Sequence, residues 1–277
     1  MDPSSAAAFA VNDYSYTQSH TVSDSIALLA GRGHRAFELM VYPGHLWPGD
    51  LDARARAALR SRIEAEGLTV TTLNMPNVDV NVAAASPGMR RYSVGLLADS
   101  VRLAGDLGAG AVVVGPGKPN PLFPMPAAEM AAHFFTALDE LVPVAREAGV
   151  ALWAENMPFA FLPLAGQLMD ALKEYGDASI GVVYDVANAV FAGEDPVDGL
   201  RRVRSRLRLV HLSDTSREVY RHDPVGHGVV DFAALPAALD EVGYREPAVL
   251  ELITADPDRE IPESVDRLAA LGWPGAA

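Results

Sequence analysis

Eight short runs of apolar, β-branched residues alternate with longer amphipathic segments along the 277-residue chain. The runs lie at residues 6–11, 35–42, 68–74, 110–115, 149–156, 180–185, 207–214 and 247–253. They recur about every 35 residues, and the segments between them have the apolar spacing of helices. Runs that are apolar along nearly their whole length are typical of strands covered on both faces, as in a parallel sheet. The alternation therefore predicts repeated strand–helix units with parallel strands.

Eight strand–helix units in a chain of this length predict an α/β protein folded as a closed (β/α)8 TIM barrel. The competing fold is a doubly wound open sheet, which usually has fewer strands and a glycine-rich phosphate turn after the first strand. Residues 12–20 contain no such turn, and GPGK at 115–118 lacks the spacing of a phosphate-binding loop. No linker or change of composition divides the chain, so we expect one domain over residues 1–277.

Composition excludes several classes of function. Lys and Arg number 22 against 36 Asp and Glu, and a surface with a formal net charge of −14 repels the phosphate backbone of nucleic acid. The chain has no Cys, which rules out disulfides, thiolate metal sites and a cysteine nucleophile. No stretch approaches the roughly 20 apolar residues of a membrane span, and the N-terminus lacks the basic start of a signal peptide. We expect a cytoplasmic protein that binds neither nucleic acid nor membrane.

Charged or polar residues close the last four apolar runs. These residues are Glu155, Asp185, His211 and Glu251. In a barrel of parallel strands, catalytic groups project from the carboxyl ends of the strands, and neighbouring strands lie about 4.8 Å apart. Three carboxylates at one point repel one another unless a cation compensates their charge. Because three oxygens and one imidazole form a ligand set for Mn, Mg, Co or Zn, we expect one divalent cation here.

Five short strings in the second half of the chain are weak signals individually, but their order and spacing together are specific. They are WAEN at 153–156, YDVAN at 184–188, VHLSD at 210–214, GHGVVDF at 226–232 and LELI at 250–253. In these strings the chain resembles the sugar phosphate isomerase/epimerase superfamily, whose members are single-metal barrels similar to xylose isomerase. This group includes ketose 3-epimerases, hydroxypyruvate isomerase and inosose-processing enzymes. The resemblance implies the same four metal ligands, with Glu155 and Glu251 as the acid/base pair and Arg217 as a substrate contact.

The function that the resemblance implies is isomerisation or epimerisation of a sugar or keto-polyol. Two carboxylates beside a metal suit proton transfer next to a carbonyl, through an enediolate that the metal stabilises. Return of a proton to the same carbon from the opposite face gives an epimer, whereas return to the neighbouring carbon interconverts aldose and ketose. No cluster of Lys or Arg at a strand–loop junction predicts a phosphate pocket, so we expect a small substrate without phosphate. The resemblance also makes a homo-oligomer possible.

One position departs from the family pattern. The motif at the sixth strand of the family usually reads Asp-x-x-His, and here the fourth position is Asn188. Asparagine can hydrogen-bond a substrate hydroxyl, but it cannot accept a proton near neutral pH. We therefore expect Asn188 to bind substrate without titrating.

Further candidates for substrate binding lie in the predicted loops. They are Glu38 and Trp47 near the second run, and Arg217, His222 and His227 after the seventh. Glu38 closes the second run, on the wall opposite the expected metal ligands. Arg217 is able to hold a hydroxyl, carboxylate or phosphate, or alternatively to pair on the surface with a neighbouring acid. The alternative for Trp47 is a ring folded over the prolines of its own loop.

Other functions fit the same residues. A lyase on this scaffold, either a dehydratase or an enzyme that cleaves a C–C or C-glycoside bond, would use the same enediolate and expel a leaving group. A retaining glycosidase would need only the paired carboxylates and would be indifferent to EDTA. A hydrolase of the endonuclease IV type needs three metals, and Tyr220 and Asn188 stand where two of its ligands are expected. A barrel that binds a sugar without turnover is the remaining alternative.

Overall fold

Eight parallel strands pair in chain order and close into a barrel in the computed structural model, which describes residues 8–273. The strands are β1 (Ala10–Asn12), β2 (Ala36–Met40), β3 (Thr69–Asn74), β4 (Ala111–Val114), β5 (Ala151–Glu155), β6 (Gly181–Asp185), β7 (Leu207–Leu212) and β8 (Val249–Leu250). The helices are α1 (Val22–Gly31), α2 (Ala53–Ala65), α3 (Pro87–Leu107), α4 (Ala127–Ala148), α5 (Ala165–Tyr175), α6 (Val186–Phe191), α7 (Pro196–Val203), α8 (Leu235–Val242) and α9 (Pro257–Ala270). This topology confirms the predicted (β/α)8 barrel. The first two residues of the run at 6–11 lie outside the described residues.

The strands are apolar on both faces because one face fills the barrel and the other packs against the helices. Outward-facing residues such as Leu152, Val182 and Val210 join the large core that includes Leu138 of α4 and Leu172 of α5. Parallel strands buried on both faces need such continuous apolar runs, which explains the pattern in the sequence. Among the described helices, none is both long and apolar enough to cross a membrane.

Inside the barrel, one apolar layer lies directly beneath the polar residues of the site. Its members are Ala10, Ala36, Val113, Trp153, Val183, Leu209 and Val249. Because side chains alternate along a strand, the residue two positions later also points inward, one layer nearer the carboxyl ends. Those second residues include Glu155, Asp185, His211 and Glu251. The strand register supports placing these residues in one layer, since Asp185 pairs directly with His211 across β6 and β7.

Strand β2 does not end where the sequence predicted. The prediction placed the strand end at Glu38, but the strand continues to Met40, and its register against β3 shifts between Phe37 and Glu38. Glu38 is therefore inside the barrel and fully buried rather than on the rim.

A buried ion pair ties the carboxyl end of β1 to the loop after β2. The side chain of Asp13 accepts hydrogen bonds from His45 Nε2 at 2.8 Å, from Ser25 Oγ at 2.9 Å and from Met40 N at 2.8 Å. The other ring nitrogen of His45, Nδ1, lies 2.7 Å from the carbonyl oxygen of His20. Both ring nitrogens face oxygen acceptors, so both donate and His45 is an imidazolium. Burial opposes that charge, but Asp13 and the His20 carbonyl raise the pKa of His45 above its usual value.

The raised pKa of His45 predicts a stability that falls with rising pH. A histidine whose pKa is higher in the folded state stabilises fully below its unfolded pKa, about 6.5, and this contribution is lost as the pH rises through the folded pKa. We expect His45→Gln to lower the free energy of unfolding by roughly 2 kcal/mol at about pH 6, and by less at higher pH. Denaturant unfolding across the pH range measures this difference. The control His133→Gln, on the outer helix α4, should change little, and a pH-independent effect of His45→Gln would contradict the assignment.

Candidate metal centre

Four buried side chains converge at the carboxyl end of the barrel. Glu155, Asp185, His211 and Glu251 each offer one ligand atom, and these atoms all lie within 4.8 Å of one another. His211 Nδ1 lies 3.2 Å from Glu155 Oε1, 3.0 Å from Glu251 Oε2 and 3.9 Å from Asp185 Oδ2. The structure thus brings together the four residues that the sequence predicted as metal ligands.

Local hydrogen bonds aim the carboxylate of Asp185 into this cluster. Asp185 ends β6 and caps helix α6, where its Oδ1 accepts a hydrogen bond of 2.7 Å from Asn188 N. The backbone of Asp185 is held on both sides by Asn156, which accepts from its N and donates to its O. Because capping occupies Oδ1, the second oxygen, Oδ2, is left to face His211 and Glu251.

Glu38 fixes the orientation of His211 from inside the barrel. The Glu38 carboxylate accepts from Thr72 Oγ1 at 2.6 Å and Asn12 Nδ2 at 2.6 Å, and His211 Nε2 lies 3.2 Å away. Burial alone would raise the pKa of Glu38, but His211 and these donors lower it below its usual value. An ionised carboxylate accepts only, so Nε2 carries a proton and Nδ1 is the nitrogen that faces the other carboxylates. This is the arrangement that orients a metal-binding histidine from behind.

A divalent cation fits the four residues on the structure's own geometry. Asp185 Oδ2 is buried and makes no hydrogen bond with any described residue, which costs about 1–3 kcal/mol unless a partner is bound. Burial raises the pKa of Glu155 to about 7 and that of Asp185 to about 6. Three crowded carboxylates thus need a positive partner in order to ionise together, and a hard cation with oxygen and imidazole ligands provides one.

The raised pKa of His211 shows how strongly the carboxylates act on this point. Burial would lower the pKa of His211, but the charges of Glu38 and Glu251 and its contact with Glu155 raise it well above its usual value. A ring nitrogen at the position of Nδ1 therefore lies in a strongly negative pocket. Among the described residues, this is the one group of three or more His, Cys, Asp or Glu side chains with metal-binding spacing.

Two members of the cluster lie at the floor of a cavity of about 510 Å³ that opens at the carboxyl end of the barrel. Glu155 and Glu251 line it, together with Asn74, Asn188, Tyr220 and His222. A cavity with a few convergent polar groups at one end is the usual form of a small-molecule site. The candidate metal centre and the cavity are therefore parts of one candidate active site.

A chain of hydrogen bonds runs from the loop after β7 to Glu155. Its members are Ser213, His222, Tyr220 and Asn188, here called the polar chain. His222 Nδ1 lies 2.9 Å from Ser213 Oγ, and His222 Nε2 lies 2.6 Å from the Tyr220 hydroxyl. The Tyr220 hydroxyl lies 2.7 Å from Asn188 Oδ1, and Asn188 Nδ2 lies 3.4 Å from Glu155 Oε1.

The hydrogen bonds of the polar chain form one consistent set of directions when His222 is neutral. The Asn188 amide nitrogen faces a carboxylate and donates to it, so its Oδ1 accepts the single proton of the Tyr220 hydroxyl. His222 Nε2 must then donate to Tyr220, and His222 Nδ1 accepts from Ser213. His222 is neutral in this arrangement, and burial accordingly lowers its pKa. Asn188 and Tyr220 thus bind each other in this arrangement.

The predicted substrate contacts divide into two groups. Asn188 and His222 are buried and line the cavity. Trp47, Arg217 and His227 do not line it: Trp47 packs against the outer core, while Arg217 and His227 are exposed on the long loop after β7. Within residues 8–273, the guanidinium of Arg217 hydrogen-bonds the Val190 carbonyl, at 3.5 Å. Glu38 contacts His211 below the cavity instead of lining a wall.

Sequence reasoning missed several residues that the structure places at the site. Asn12 ends β1 and bonds Glu38 at 2.6 Å and Glu251 at 3.4 Å. The rule that picked out the other strand ends would have found it, because Asn12 is the polar residue that follows the first apolar run. Tyr220 had no such signal, since it lies in a long loop without periodicity.

A family model described as xylose isomerase-like TIM barrel matches residues 26–271. An uncharacterized protein of Methanocaldococcus jannaschii is 28% identical over 192 residues, which cover 67% of this chain and 64% of that relative. The L-ribulose 3-epimerase of Mesorhizobium japonicum is 24% identical over 254 residues, covering 89% of this chain and 81% of the relative. The chain thus spans slightly less than two thirds of the first of these relatives.

Solved structures share the fold over nearly the whole chain. A D-tagatose 3-epimerase-like protein superposes with a TM-score of 0.82 at 21% identity, covering 95% of this chain and 96% of the other. The IolI protein, solved with a bound zinc atom, superposes with a TM-score of 0.76 at 17% identity, covering 95% of this chain and 96% of the other. At these identities the likeness concerns the fold.

Proposed function

Because the chain belongs to the xylose isomerase-like TIM barrel family, we propose that it is a divalent-metal-dependent epimerase or isomerase of a ketose or keto-polyol. The observation that carries this proposal is the convergence of four buried ligand atoms, two of which belong to residues that line the cavity, Glu155 and Glu251. An L-ribulose 3-epimerase among the relatives supports a small sugar as substrate.

Glu155, Asp185, His211 and Glu251 would hold the cation. The chemistry that a bound Mn, Mg, Co or Zn ion supplies is positive charge beside the carbonyl and adjacent hydroxyl of the sugar, where negative charge develops. Asn188 N holds Asp185 and Glu38 holds His211, and neither Asp185 nor His211 lines the cavity, so their role is binding. Glu155 and Glu251 also line the cavity, which places their carboxylates within reach of a substrate.

Glu155 and Glu251 are the groups that move protons in this proposal. They project from β5 and from the end of β8, which are separated on the barrel wall by β6 and β7. A sugar between them is therefore approached by one carboxylate from each side. One removes the proton from the carbon beside the carbonyl, and the other returns a proton to the opposite face or to the neighbouring carbon.

Solvent deuterium tests this reaction class. Ketoses and inososes are incubated in D2O with the manganese-loaded protein, and the recovered sugars are analysed by NMR and mass spectrometry. We expect deuterium at the carbon beside the carbonyl in at least one sugar, and no exchange after EDTA treatment. Loss of water or of an aglycone would instead support the lyase alternative, and exchange that is unchanged by EDTA would contradict the metal-dependent mechanism.

The polar chain predicts a specific effect of Tyr220→Phe. Without the hydroxyl, Asn188 Oδ1 loses the hydrogen bond that it accepts from Tyr220. The Asn188 side chain can then turn away from Glu155, so the Glu155 carboxylate is less well oriented. We expect kcat to fall by about ten- to a hundredfold with little change in KM, because orientation of an acid/base group acts on the chemical step. The measurement is steady-state kinetics with the sugar found by deuterium exchange.

The matched control is Tyr175→Phe, since the Tyr175 hydroxyl bonds Asp139 at 3.0 Å on the outer helices. It should leave both kinetic constants unchanged. The Tyr220→Phe variant keeps the aromatic ring and its packing against Phe159 and Phe191, each 5.3 Å away between ring centres, so a folding defect is not expected. A rise in KM at constant kcat would contradict the positioning role and make Tyr220 a substrate contact.

A further inference from the structure

The cavity is polar at its floor and apolar at its mouth. The apolar side chains at the mouth come from three loops and are Met75, Pro76, Val78, Met157, Pro158, Phe159 and Ile253. Val78, Phe159 and Ile253 are exposed there, by 73%, 57% and 44%. A volume of about 510 Å³ lies in the range of drug-sized ligands and exceeds what one pentose or hexose fills. If the reacting end of a sugar lies at the carboxylates of the floor, the outer part of the cavity is left for another portion of the ligand.

Two polar side chains at the mouth, those of Lys118 and Asn77, already contact protein atoms. The ammonium of Lys118 bonds the backbone carbonyls of Asn77 and Val78. The side-chain nitrogen of Asn77 faces Met157 Sδ at 2.9 Å. Moving sugar hydroxyls from water to a site that offers them no hydrogen bond costs free energy. A phosphate needs several hydrogen-bond donors directed at it. The mouth therefore suits neither more hydroxyls nor a phosphate.

The apolar side chains at the mouth are arranged so that a ligand can pack against them. Phe159 is braced edge-on by Phe191 at 5.6 Å and by Tyr220 at 5.3 Å between ring centres, so its ring stays in place while more than half exposed. Met75 and Met157 add flexible, polarizable surface that adapts to varied apolar shapes. Single exposed apolar residues are common, but a set from three loops around one opening indicates a binding surface.

We propose that the substrate is a ketose or keto-polyol that carries an apolar substituent, such as an aryl or alkyl group, at the end remote from the carbonyl. This inference rests on the proposed function, because the reacting carbons must lie at Glu155 and Glu251. With the carbonyl end at the floor, the opposite end of the sugar points to the mouth. The substituent then lies on Phe159, Met75 and Met157, and its burial adds affinity that an unsubstituted sugar lacks.

Equilibrium binding tests the inference independently of turnover. Calorimetry gives Kd for the four D-ketohexoses, their 6-phosphates and their 6-O-benzyl ethers, with added manganese and again with EDTA. The proteins are the wild type, Phe159→Ala and the matched control Phe123→Ala, whose exposed phenylalanine does not line the cavity. Deuterium exchange of the same sugars is recorded in parallel and reports on the proposed function alone.

For at least one ketohexose, we expect the benzyl ether to bind about ten- to a hundredfold more tightly than the parent sugar, as burial of an aromatic group predicts. The gain should persist in EDTA, because the mouth residues are not metal ligands. Phe159→Ala should reduce the gain several-fold, and Phe123→Ala should leave it unchanged.

The inference is overturned if no benzyl ether binds more tightly than its parent sugar, or if a 6-phosphate binds most tightly. Equal effects of Phe159→Ala and Phe123→Ala would also overturn it. If deuterium exchange occurs in the same series without a benzyl preference, the proposed function stands and only the apolar subsite fails. If the benzyl preference occurs without exchange, the subsite stands and the epimerase mechanism fails.

Discussion

Glu251→Gln is expected to abolish measurable turnover while the protein stays folded. The change removes one of the two proton-transfer groups, each worth about 10²–10⁴-fold, and one negative charge of the metal centre. Together these losses predict a fall in kcat of at least about 10³-fold. Deuterium exchange and steady-state kinetics measure the loss, and circular dichroism with thermal unfolding shows whether the fold is kept.

The fold should survive this change for a physical reason. Gln has nearly the shape of Glu, and the neutral amide relieves repulsion among three buried carboxylates whose pKa values burial already raises. Glu218→Gln is the matched control, because Glu218 is an exposed acid outside the cavity. It should retain full activity. Near-normal turnover in Glu251→Gln would remove Glu251 from the mechanism.

The second large effect is the loss of stability when the cation is removed. A ligand that binds only the folded state at about 1,000 times its Kd stabilises by about 4 kcal/mol. For a protein of this size, that corresponds to a fall in Tm of about 10 °C on addition of EDTA. The physical cause is the return of uncompensated negative charge to a buried cluster. Thermal unfolding with manganese and with EDTA measures the difference.

A variant pair separates specific binding from a general effect of manganese. His211→Gln removes the one imidazole of the cluster and should lose most of the difference in Tm between the two conditions. His133→Gln lies on the outer helix α4 and should keep the difference. Equal melting temperatures of the wild-type protein with manganese and with EDTA would contradict a bound structural cation.

The fold and the four ligands follow from the sequence because both depend on regular spacing. A parallel barrel places the carboxyl ends of all strands at one end, so polar residues that close neighbouring apolar runs must meet. Asp185 and His211 are direct partners across β6 and β7, as that reasoning requires. The apolar layer two residues earlier on each strand explains why a single polar residue interrupts an otherwise apolar pattern.

Glu38 shows where strand spacing alone is insufficient. The run at 35–42 contains a single acid, and the sequence does not show that the strand continues to Met40 or that the register shifts at Phe37. Both features keep Glu38 fully buried inside the barrel and away from the cavity lining. Its carboxylate therefore holds a neighbour, His211, instead of contacting a substrate.

The long loop after β7 was the least predictable part of the site. Its residues have no periodicity, so the pairing of Tyr220 with Asn188 and His222 could not be read from spacing. The same loop carries Arg217 and His227 away from the cavity. Loop side chains are positioned by specific hydrogen bonds rather than by a repeating backbone, and only the fold shows which bonds form.

Crystals grown with manganese give the most direct test of the metal centre, through an anomalous difference map at the manganese absorption edge. The account predicts one strong peak per chain among Glu155 Oε1, Asp185 Oδ2, His211 Nδ1 and Glu251 Oε2, with His211 Nε2 still bonded to Glu38. No peak at that point, or a peak held by other residues, would contradict it.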